Sequence, residues 1–346
     1  MYFKQIDSLR FFAVFLVLIS HWLFGLPFVE KLKLGTIGVE LFFVISGFLI
    51  SLQLYKYKLE IDTKISSLKN TIKVFYIRRV LRIFPLYYFV LIVATLINKG
   101  ELLDAMVWNF SYTTNFYFIK IQHWPGIFSQ FWSLSVEEHF YIFWPLIVLT
   151  STAKNLLKWI FVIAGISLLF RFFQFHYSYN YILLYIHTLS CLDLFMMGAV
   201  LAYIYYYKPS FFIQLFNLKY LKIIALTLFM ILFSIYFMKP QWELFNWVFQ
   251  RFFFGFFYFL VLGFFVKGIK GKTGIVLENK ILIRLGKLSY CIYLIHNFVP
   301  GILLPVKKFD LPIIAEFFIY LVVTLIISEV LYRVIEKPAR DLNKYF

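Results

Sequence analysis

Apolar residues in this chain form long runs rather than the short alternating patterns of a soluble fold. A helix that crosses a bilayer needs about 20 mostly apolar residues, and runs of that length recur along the sequence. The pattern predicts an all-α, polytopic membrane protein with about ten transmembrane helices. We place them at residues 8–27, 35–54, 82–98, 132–150, 157–173, 181–206, 221–238, 243–266, 285–305 and 312–334.

The composition agrees with a membrane protein. Hydrophobic residues make up 62% of the 346 residues and charged residues only 15%, which is far from the balance of a soluble domain. The longest polar connections, residues 56–81 and 99–131, have the length of large loops. We therefore expect residues 1–346 to form a single transmembrane domain with no appended soluble domain.

The formal net charge of +17 could indicate nucleic-acid binding, but the basic residues alternate from one connection to the next. One set of alternate segments holds 24 of them and the other set holds 8. The positive-inside rule then places both termini in the cytoplasm and makes the lipid bilayer, not nucleic acid, the expected partner. The basic residues assigned to outer segments are Lys31, Lys33, Lys99, Lys120, Arg171, Lys239, Lys307 and Lys308.

Two ionisable residues lie within the first predicted span. Ionisable groups at bilayer depth are costly, and they usually face a protein interior or a water-filled cavity. Arg10 and His21 are eleven residues apart, which is about three helical turns and roughly 16 Å along the axis. The two side chains therefore share one helical face, with Arg10 near the cytoplasmic end and His21 in the outer half.

Two glutamates are predicted at about the depth of His21. Glu40 and Glu137 each lie about five residues below the outer end of an inward-running span. A carboxylate beside an imidazole fixes its tautomer and stabilises its protonated form, which suits a histidine that accepts a proton from a hydroxyl. We predict that His21, Glu137 and Glu40 are catalytic, with a structural contact between helices as the alternative for either glutamate.

A second group of ionisable residues lies at the inner end of the third predicted span. Arg79 and Arg82 are three residues apart on one helical face, with Arg78 beside them, and arginine suits bidentate binding of phosphate. Arg10 and Lys287 are predicted to reach the same interface. The prediction is a binding site for a phosphate-bearing donor, and the alternative is simple snorkelling of long cationic side chains.

The segment "IDSLRFFAVFLVLISHW" (6–22) has an Arg, ten residues and then a His, and "RRVLRIFPLYY" (78–88) has Arg-x-x-Arg. With four further segments, they resemble the acyltransferase-3 family, membrane O-acyltransferases that modify cell-envelope glycans. Two departures concern His139, where the family usually has Gln, and Cys191, where an Arg often precedes Asp193 by two residues. The segments that carry the resemblance are "IDSLRFFAVFLVLISHW" (6–22), "GVELFFVISGFLIS" (38–51), "RRVLRIFPLYY" (78–88), "FWSLSVEEHFYIFWPL" (131–146), "LGKLSYCIYLIH" (285–296) and "IEKP" (335–338).

The resemblance implies a multi-pass protein of the inner (plasma) membrane. The donor would be cytoplasmic acyl-CoA, usually acetyl-CoA, and the acceptor a hydroxyl of an envelope glycan such as lipopolysaccharide, or of a lipid-linked sugar; no metal is expected. On matching positions His21 would be the catalytic base, and Arg10, Arg79 and Arg82 would contact the donor. Direct attack by the acceptor and an acyl-histidine intermediate both stay open.

A secondary transporter or a flippase for a lipid-linked substrate is the alternative function. Such proteins also combine about ten spans with buried charges near mid-membrane, and they often contain paired halves. No internal symmetry of that kind is visible in this sequence. Outer aromatic residues could stack on a sugar or could form the usual interfacial belt; they include Trp108, Tyr112, Tyr117 and Trp124.

Overall fold

The computed structural model describes residues 2–97, 100–178, 180–237, 242–303 and 311–346. Within these ranges all regular structure is helical. Four of the basic residues assigned to outer segments, Lys99, Lys239, Lys307 and Lys308, lie outside the described residues.

Twenty α-helices are described, several of them extended by short π or 3-10 segments. π-helical turns at Phe245–Phe249 and Tyr332–Glu336 adjoin the fourteenth and nineteenth helices. The α-helices are α1 Lys4–Trp22, α2 Pro27–Leu32, α3 Leu34–Asp62, α4 Leu68–Ile97, α5 Glu101–Asp104, α6 Met106–Phe110, α7 Thr114–Ile121, α8 Phe131–Thr150, α9 Leu156–Tyr177, α10 Tyr181–Ile186, α11 Thr188–Tyr207, α12 Pro209–Asn217, α13 Leu221–Phe237, α14 Gln250–Lys267, α15 Gly271–Leu277, α16 Lys280–Lys287, α17 Ser289–Ile295, α18 Val299–Ile302, α19 Ile313–Leu331 and α20 Lys337–Asp341.

Seven helical stretches among the described residues are long and apolar enough to cross a membrane. An eighth is possible if α12 and α13, which meet at a bend of 72°, count as one broken span. The chain is thus a multi-pass membrane protein whose described residues form only helices as regular structure, and the finer count of ten spans stays a prediction. The seven stretches are Lys4–Trp22, Pro27–Asp62, Leu68–Ile97, Ala153–Tyr177, Tyr181–Tyr207, Phe245–Lys267 and Ile313–Tyr345.

Two predicted spans differ from the described helices for identifiable reasons. The segment predicted at 132–150 is the 20-residue helix α8, but Glu137 and Glu138 in its first half reduce its apolar character. The segment predicted at 285–305 falls on three short helices, α16, α17 and α18, rather than one long helix. An apolar run alone predicted a continuous span there, because hydropathy does not register where a helix breaks.

The chain folds into two compact units, each assembled from discontinuous segments. Unit 1 comprises Met1–Ile6, Glu40–Leu68 and Val136–Glu278, and unit 2 comprises Asp7–Val39, Lys69–Ser135 and Asn279–Phe346.

Stacked aromatic rings join three helices in the core of unit 1. The ring of Phe195 on α11 stacks on Phe43 of α3 and on Phe140 of α8, with centroids 4.8 and 4.3 Å apart. One turn beyond Phe140, the indole N–H of Trp144 donates to the Ser51 hydroxyl at 2.9 Å. Burying such large aromatic side chains contributes most of the packing energy of a core.

A buried ion pair links α9 and α11 in the same unit. Nη2 of Arg171 donates to Oδ2 of Asp193 at 2.6 Å, and both side chains are inaccessible to solvent. Nε of Arg171 donates to the Val248 carbonyl at 2.9 Å, so the guanidinium is held on several sides. Arg171, counted among the outer basic residues, is thus buried within α9 rather than exposed in a connection, because an acidic partner is supplied from another helix. The side of the membrane on which it lies stays a prediction.

Unit 2 is held together by aromatic contacts between α1 and α19. Trp22 packs edge to face on Phe317 and Tyr320, with centroids 5.8 and 5.9 Å away. On α4, Tyr87 stacks on Tyr112 at 4.2 Å, and its hydroxyl donates to the Asn109 carbonyl at 2.8 Å. Tyr112, one of the aromatic residues considered for sugar stacking, is therefore buried in this core.

Candidate functional site

His21 lies in the last turn of α1 and belongs to unit 2. The side chain is exposed, although its ring is engaged by two partners. Its Nδ1 is 2.8 Å from Nε2 of His296 and 2.9 Å from Oδ1 of Asn297. One ring nitrogen of His21 is therefore held by protein groups.

His296 follows α17 directly and is fully buried. Its Nδ1 is 2.6 Å from the carbonyl oxygen of Tyr293, and its own carbonyl accepts from the indole N–H of Trp22 at 3.3 Å. The rings of His21 and His296 have centroids 4.9 Å apart. Two consecutive residues of α1, His21 and Trp22, are thus both attached to His296.

Asn297 is anchored in turn by the segment that precedes α8. Its Nδ2 donates to Ser129 Oγ at 2.9 Å and to Gln130 Oε1 at 2.7 Å. Nε2 of Gln130 donates to the Leu294 carbonyl at 3.0 Å. This network fixes the rotamers of the groups that contact His21.

The cations predicted to bind the donor all belong to unit 2 and are all half-buried. Arg79 lies over the ring of Phe75 one turn earlier on α4, with its guanidinium carbon 5.7 Å from the ring centroid. The five residues are Arg10, Arg78, Arg79, Arg82 and Lys287.

Two contacts bring the end of α16 to the region of the predicted donor site. A Cβ added to Gly286 would collide with the carbonyl oxygen of Asp7, so α16 approaches the start of α1 backbone to backbone. The Tyr290 hydroxyl on α17 donates to the Ile83 carbonyl on α4 at 3.0 Å. Lys287 lies between these contact points in the sequence, so it is placed at the same end of the unit as the arginines.

Glu40 belongs to unit 1, where it pairs with Arg251 of the same unit. Nε of Arg251 on α14 donates to Glu40 Oε1 at 3.0 Å, and the Tyr258 hydroxyl is 3.3 Å from Oε2. Arg251 also donates to the Ser190 carbonyl, which Arg171 contacts as well. The contacts of Glu40 match the structural alternative, and its catalytic role stays a prediction.

Glu137 is half-buried and also belongs to unit 1. It accepts hydrogen bonds from Ser46 Oγ at 3.0 Å and from the Tyr141 hydroxyl at 3.1 Å. His139, the residue found where the family usually has Gln, has its Nδ1 2.7 Å from Thr188 Oγ1. The predicted common depth of His21 with Glu40 and Glu137 stays a prediction.

Sequence reasoning missed His296 and Asn297 as partners of His21. The signal was present, because the quoted segment "LGKLSYCIYLIH" ends on His296 and Asn297 follows it. The contact joins residues 275 positions apart, and helical periodicity carries no information at that separation. In chemical terms, unit 2 combines an oriented imidazole at the end of α1 with Arg10 about three turns earlier on the same helix, and it also contains the other predicted donor-binding cations, which lie on α4 and α16.

Comparison with known proteins places the chain in a family. The profile of an acyltransferase domain, Acyl_transf_3, matches residues 3–333. A relative from Staphylococcus aureus strain COL, named provisionally as an O-acetyltransferase, is 31% identical over 98% of this chain. O-acetyltransferase OatA from S. aureus strain NCTC 8325 is 28% identical over 98% of this chain.

The chain spans 57% of the length of each of these two relatives. No solved structure matches the chain significantly. The match of the domain profile to nearly the whole sequence, in a multi-pass helical protein, identifies the chain as a member of the acyltransferase-3 family.

Proposed function

We propose that the protein is a membrane O-acyltransferase. It moves an acyl group, usually acetyl, from cytoplasmic acyl-CoA to a hydroxyl of a cell-envelope glycan or a lipid-linked sugar. Membership of the acyltransferase-3 family and the names of the relatives support acyl transfer to oxygen. The proposal includes the inner (plasma) membrane as the location, ten spans, and both termini in the cytoplasm.

The main support for the proposal is that unit 2 contains both His21 and all the predicted donor-binding cations. Arg10 and His21 share α1, and the other predicted donor-binding cations belong to the same compact unit. A nucleotide anchored by its phosphates at the cations can extend its pantetheine arm over the roughly 16 Å of helix that separates Arg10 from His21. The arm would then bring the thioester to the imidazole.

In the direct mechanism, His21 removes the proton from the acceptor hydroxyl as its oxygen attacks the thioester carbonyl carbon. The new C–O bond forms and the C–S bond breaks. The imidazolium then gives its proton to the departing thiolate, so CoA leaves as the thiol. In the covalent alternative, a ring nitrogen of His21 attacks the thioester carbon, the C–S bond breaks, and CoA leaves as the thiol with a proton from the imidazole. The acceptor hydroxyl then attacks the acyl-imidazole, so that a C–O bond forms as the C–N bond breaks and the hydroxyl proton returns to the imidazole. The supporting roles of Glu40 and Glu137 stay predictions in either mechanism.

The test uses purified protein, acetyl-CoA labelled in the acetyl group, and extracted envelope glycans. Loss of a general base or nucleophile lowers the rate by about a hundredfold or more, so His21→Ala should lose transfer while eluting as a folded protein. His176→Ala, at the exposed end of α9, is the matched control and should keep the wild-type rate. Wild-type transfer by His21→Ala would overturn the assignment.

Two further measurements separate the remaining alternatives. Label retained on the protein after incubation with acetyl-CoA alone, and absent from His21→Ala, would indicate the acyl-histidine route. Counterflow of a lipid-linked substrate in liposomes without any acyl donor, combined with no acyl transfer, would favour the transporter or flippase instead.

A further inference from the structure

His296 is a fully buried histidine to which the proposed reaction assigns no step. Both of its ring nitrogens have partners within unit 2: Nδ1 lies 2.6 Å from the Tyr293 carbonyl, and Nε2 lies 2.8 Å from Nδ1 of His21. A buried imidazole between a backbone carbonyl and a second imidazole restricts where the protons of both rings can be.

The Tyr293 carbonyl sets the direction of this chain of hydrogen bonds. A carbonyl oxygen can only accept, so Nδ1 of His296 must carry a proton. A neutral imidazole has one N–H, so Nε2 of His296 then offers a lone pair. Nδ1 of His21 must therefore be the donor in the bond between the two rings.

A second chain of hydrogen bonds reaches the same atom independently. The Leu294 carbonyl accepts from Gln130 Nε2, which leaves Gln130 Oε1 as the acceptor facing Asn297. Asn297 therefore directs its Nδ2 to Gln130 and its Oδ1 to His21. Because Oδ1 can only accept, Nδ1 of His21 is again required to be the donor.

We propose that His296 and Asn297 are positioning residues that hold His21 in its Nδ1–H tautomer and so make Nε2 the atom that reacts. This inference rests on the proposed function, and it applies to both mechanisms, because the base and the acyl-accepting nucleophile would be the same nitrogen. When Nε2 takes a proton, the two acceptors at Nδ1 stabilise the imidazolium.

The surroundings of Nε2 fit this assignment. A Cβ added at Gly35 would lie 3.9 Å from Nε2 of His21, so the residue facing the nitrogen from that side has no side chain. His21 is exposed whereas His296 is fully buried. The Nδ1 atom of His21 thus contacts protein groups, while the residue as a whole is accessible.

The tautomer can be measured without any transfer activity. Histidines labelled with ¹⁵N give two-bond ¹H–¹⁵N correlations that distinguish the two neutral tautomers, and the chain has only six histidines to assign. Loss of one signal set in His21→Gln identifies His21. We expect the Nδ1–H form in the wild-type protein, and an Nε2–H form would overturn the proposal even if acyl transfer is observed.

Kinetics of position-296 variants test the role of the acceptor. In His296→Leu, we expect kcat to fall by about tenfold to a hundredfold, with little change in KM for acetyl-CoA, because the misplaced tautomer impairs the chemical step. His296→Gln supplies a carbonyl oxygen near the former Nε2 and should recover part of the loss. Equal kcat in His296→Leu and the wild type would contradict the inference.

A charge substitution at position 297 gives a readout that mere structural support would not change. In Asn297→Asp, a carboxylate beside Nδ1–H favours the imidazolium, so the pH at which kcat is half-maximal should rise by about one unit. Asn180→Asp is the matched control, because Asn180 caps α10 and Asp caps a helix equally well. Coincident pH profiles for Asn297→Asp and Asn180→Asp would overturn the proposal.

Acyl transfer tests the proposed function, and the tautomer of His21 tests the positioning role of His296 and Asn297, so either can fail without the other. If wild-type protein transfers no acyl group, the proposed function fails, while the tautomer of His21 is still measured by NMR. If the wild type is active and His21→Ala is inactive, but the tautomer is Nε2–H, then only the positioning role of His296 and Asn297 is wrong.

Discussion

Arg251 and Glu40 form a buried ion pair between α14 and α3, with Nε of Arg251 3.0 Å from Oε1 of Glu40. Both side chains are at least nine-tenths buried. Removing one member of such a pair strands the other charge, which costs about 3–5 kcal/mol, whereas replacing both with apolar residues is often tolerated. We therefore expect loss of one partner to destabilise the protein more than replacement of both.

We predict that Glu40→Leu lowers the free energy of unfolding by about 3–5 kcal/mol, because it leaves Arg251 charged and unpaired. Thermal unfolding in detergent, followed by size-exclusion chromatography, measures the change in Tm. The double variant Glu40→Leu with Arg251→Met should unfold at a higher temperature than Glu40→Leu alone. A double variant that is less stable than the single one would show that the pair does not behave as a unit.

Glu137 offers a cleaner test of a catalytic glutamate than Glu40 does. Glu137→Gln keeps an oxygen that can accept from Ser46 or Tyr141, so we expect stability to change by no more than about 1 kcal/mol. If the carboxylate supports proton transfer, kcat should fall by at least tenfold while the protein stays folded. Unchanged kcat with unchanged Tm would remove Glu137 from the catalytic residues.

Arg82→Ala tests the predicted donor site. We expect KM for acetyl-CoA to rise by about tenfold with kcat largely retained, because a lost phosphate contact weakens donor binding without removing a chemical group. Lys73→Ala changes an exposed cation on the same helix and should leave KM unchanged. An equal rise in KM for both variants would mean that only the general positive charge of α4 matters.

Gly286→Ala tests the close approach of α16 to α1. The added methyl group meets the Asp7 carbonyl, so α16 must shift, and we expect a lower Tm together with a higher KM for acetyl-CoA because Lys287 moves with it. Gly165→Ala is the control, since a Cβ there has no neighbour within 4 Å, and replacing Gly by Ala in a helix gains up to about 1 kcal/mol. A Tm for Gly286→Ala as high as that of the control would contradict the close contact.

The long apolar helices were predictable from the sequence because each carries its own signal. The runs around Arg10 and His21, and around Glu40, appear as α1 and α3 with the expected residues on them. The ionisable residues within those runs were expected to need a polar or charged partner. The identities of the partners were not predictable, because His296 and Arg251 are separated from His21 and Glu40 by 275 and 211 positions.

Local breaks were also beyond the reach of hydropathy. The run at 285–305 was predicted as one span. In the structure it begins within α16, and the helix breaks at Leu288 and again after Ile295. A break depends on which backbone groups find other partners, and that is decided by tertiary contacts such as the one between Gln130 and Leu294. For the same reason, Arg171 could not be assigned to the interior until Asp193 was seen opposite it.

The end of α17 at Ile295 has a chemical consequence. The last four carbonyls of a helix have no partner within it, and here two of them, on Tyr293 and Leu294, accept from His296 and Gln130 instead. A helix that continued through Asn297 would use these oxygens for its own backbone bonds. Because α17 ends at Ile295, these two carbonyls stay free to accept from His296 and Gln130. Since a carbonyl can only accept, they determine which atom donates in every hydrogen bond of the network, up to Nδ1 of His21.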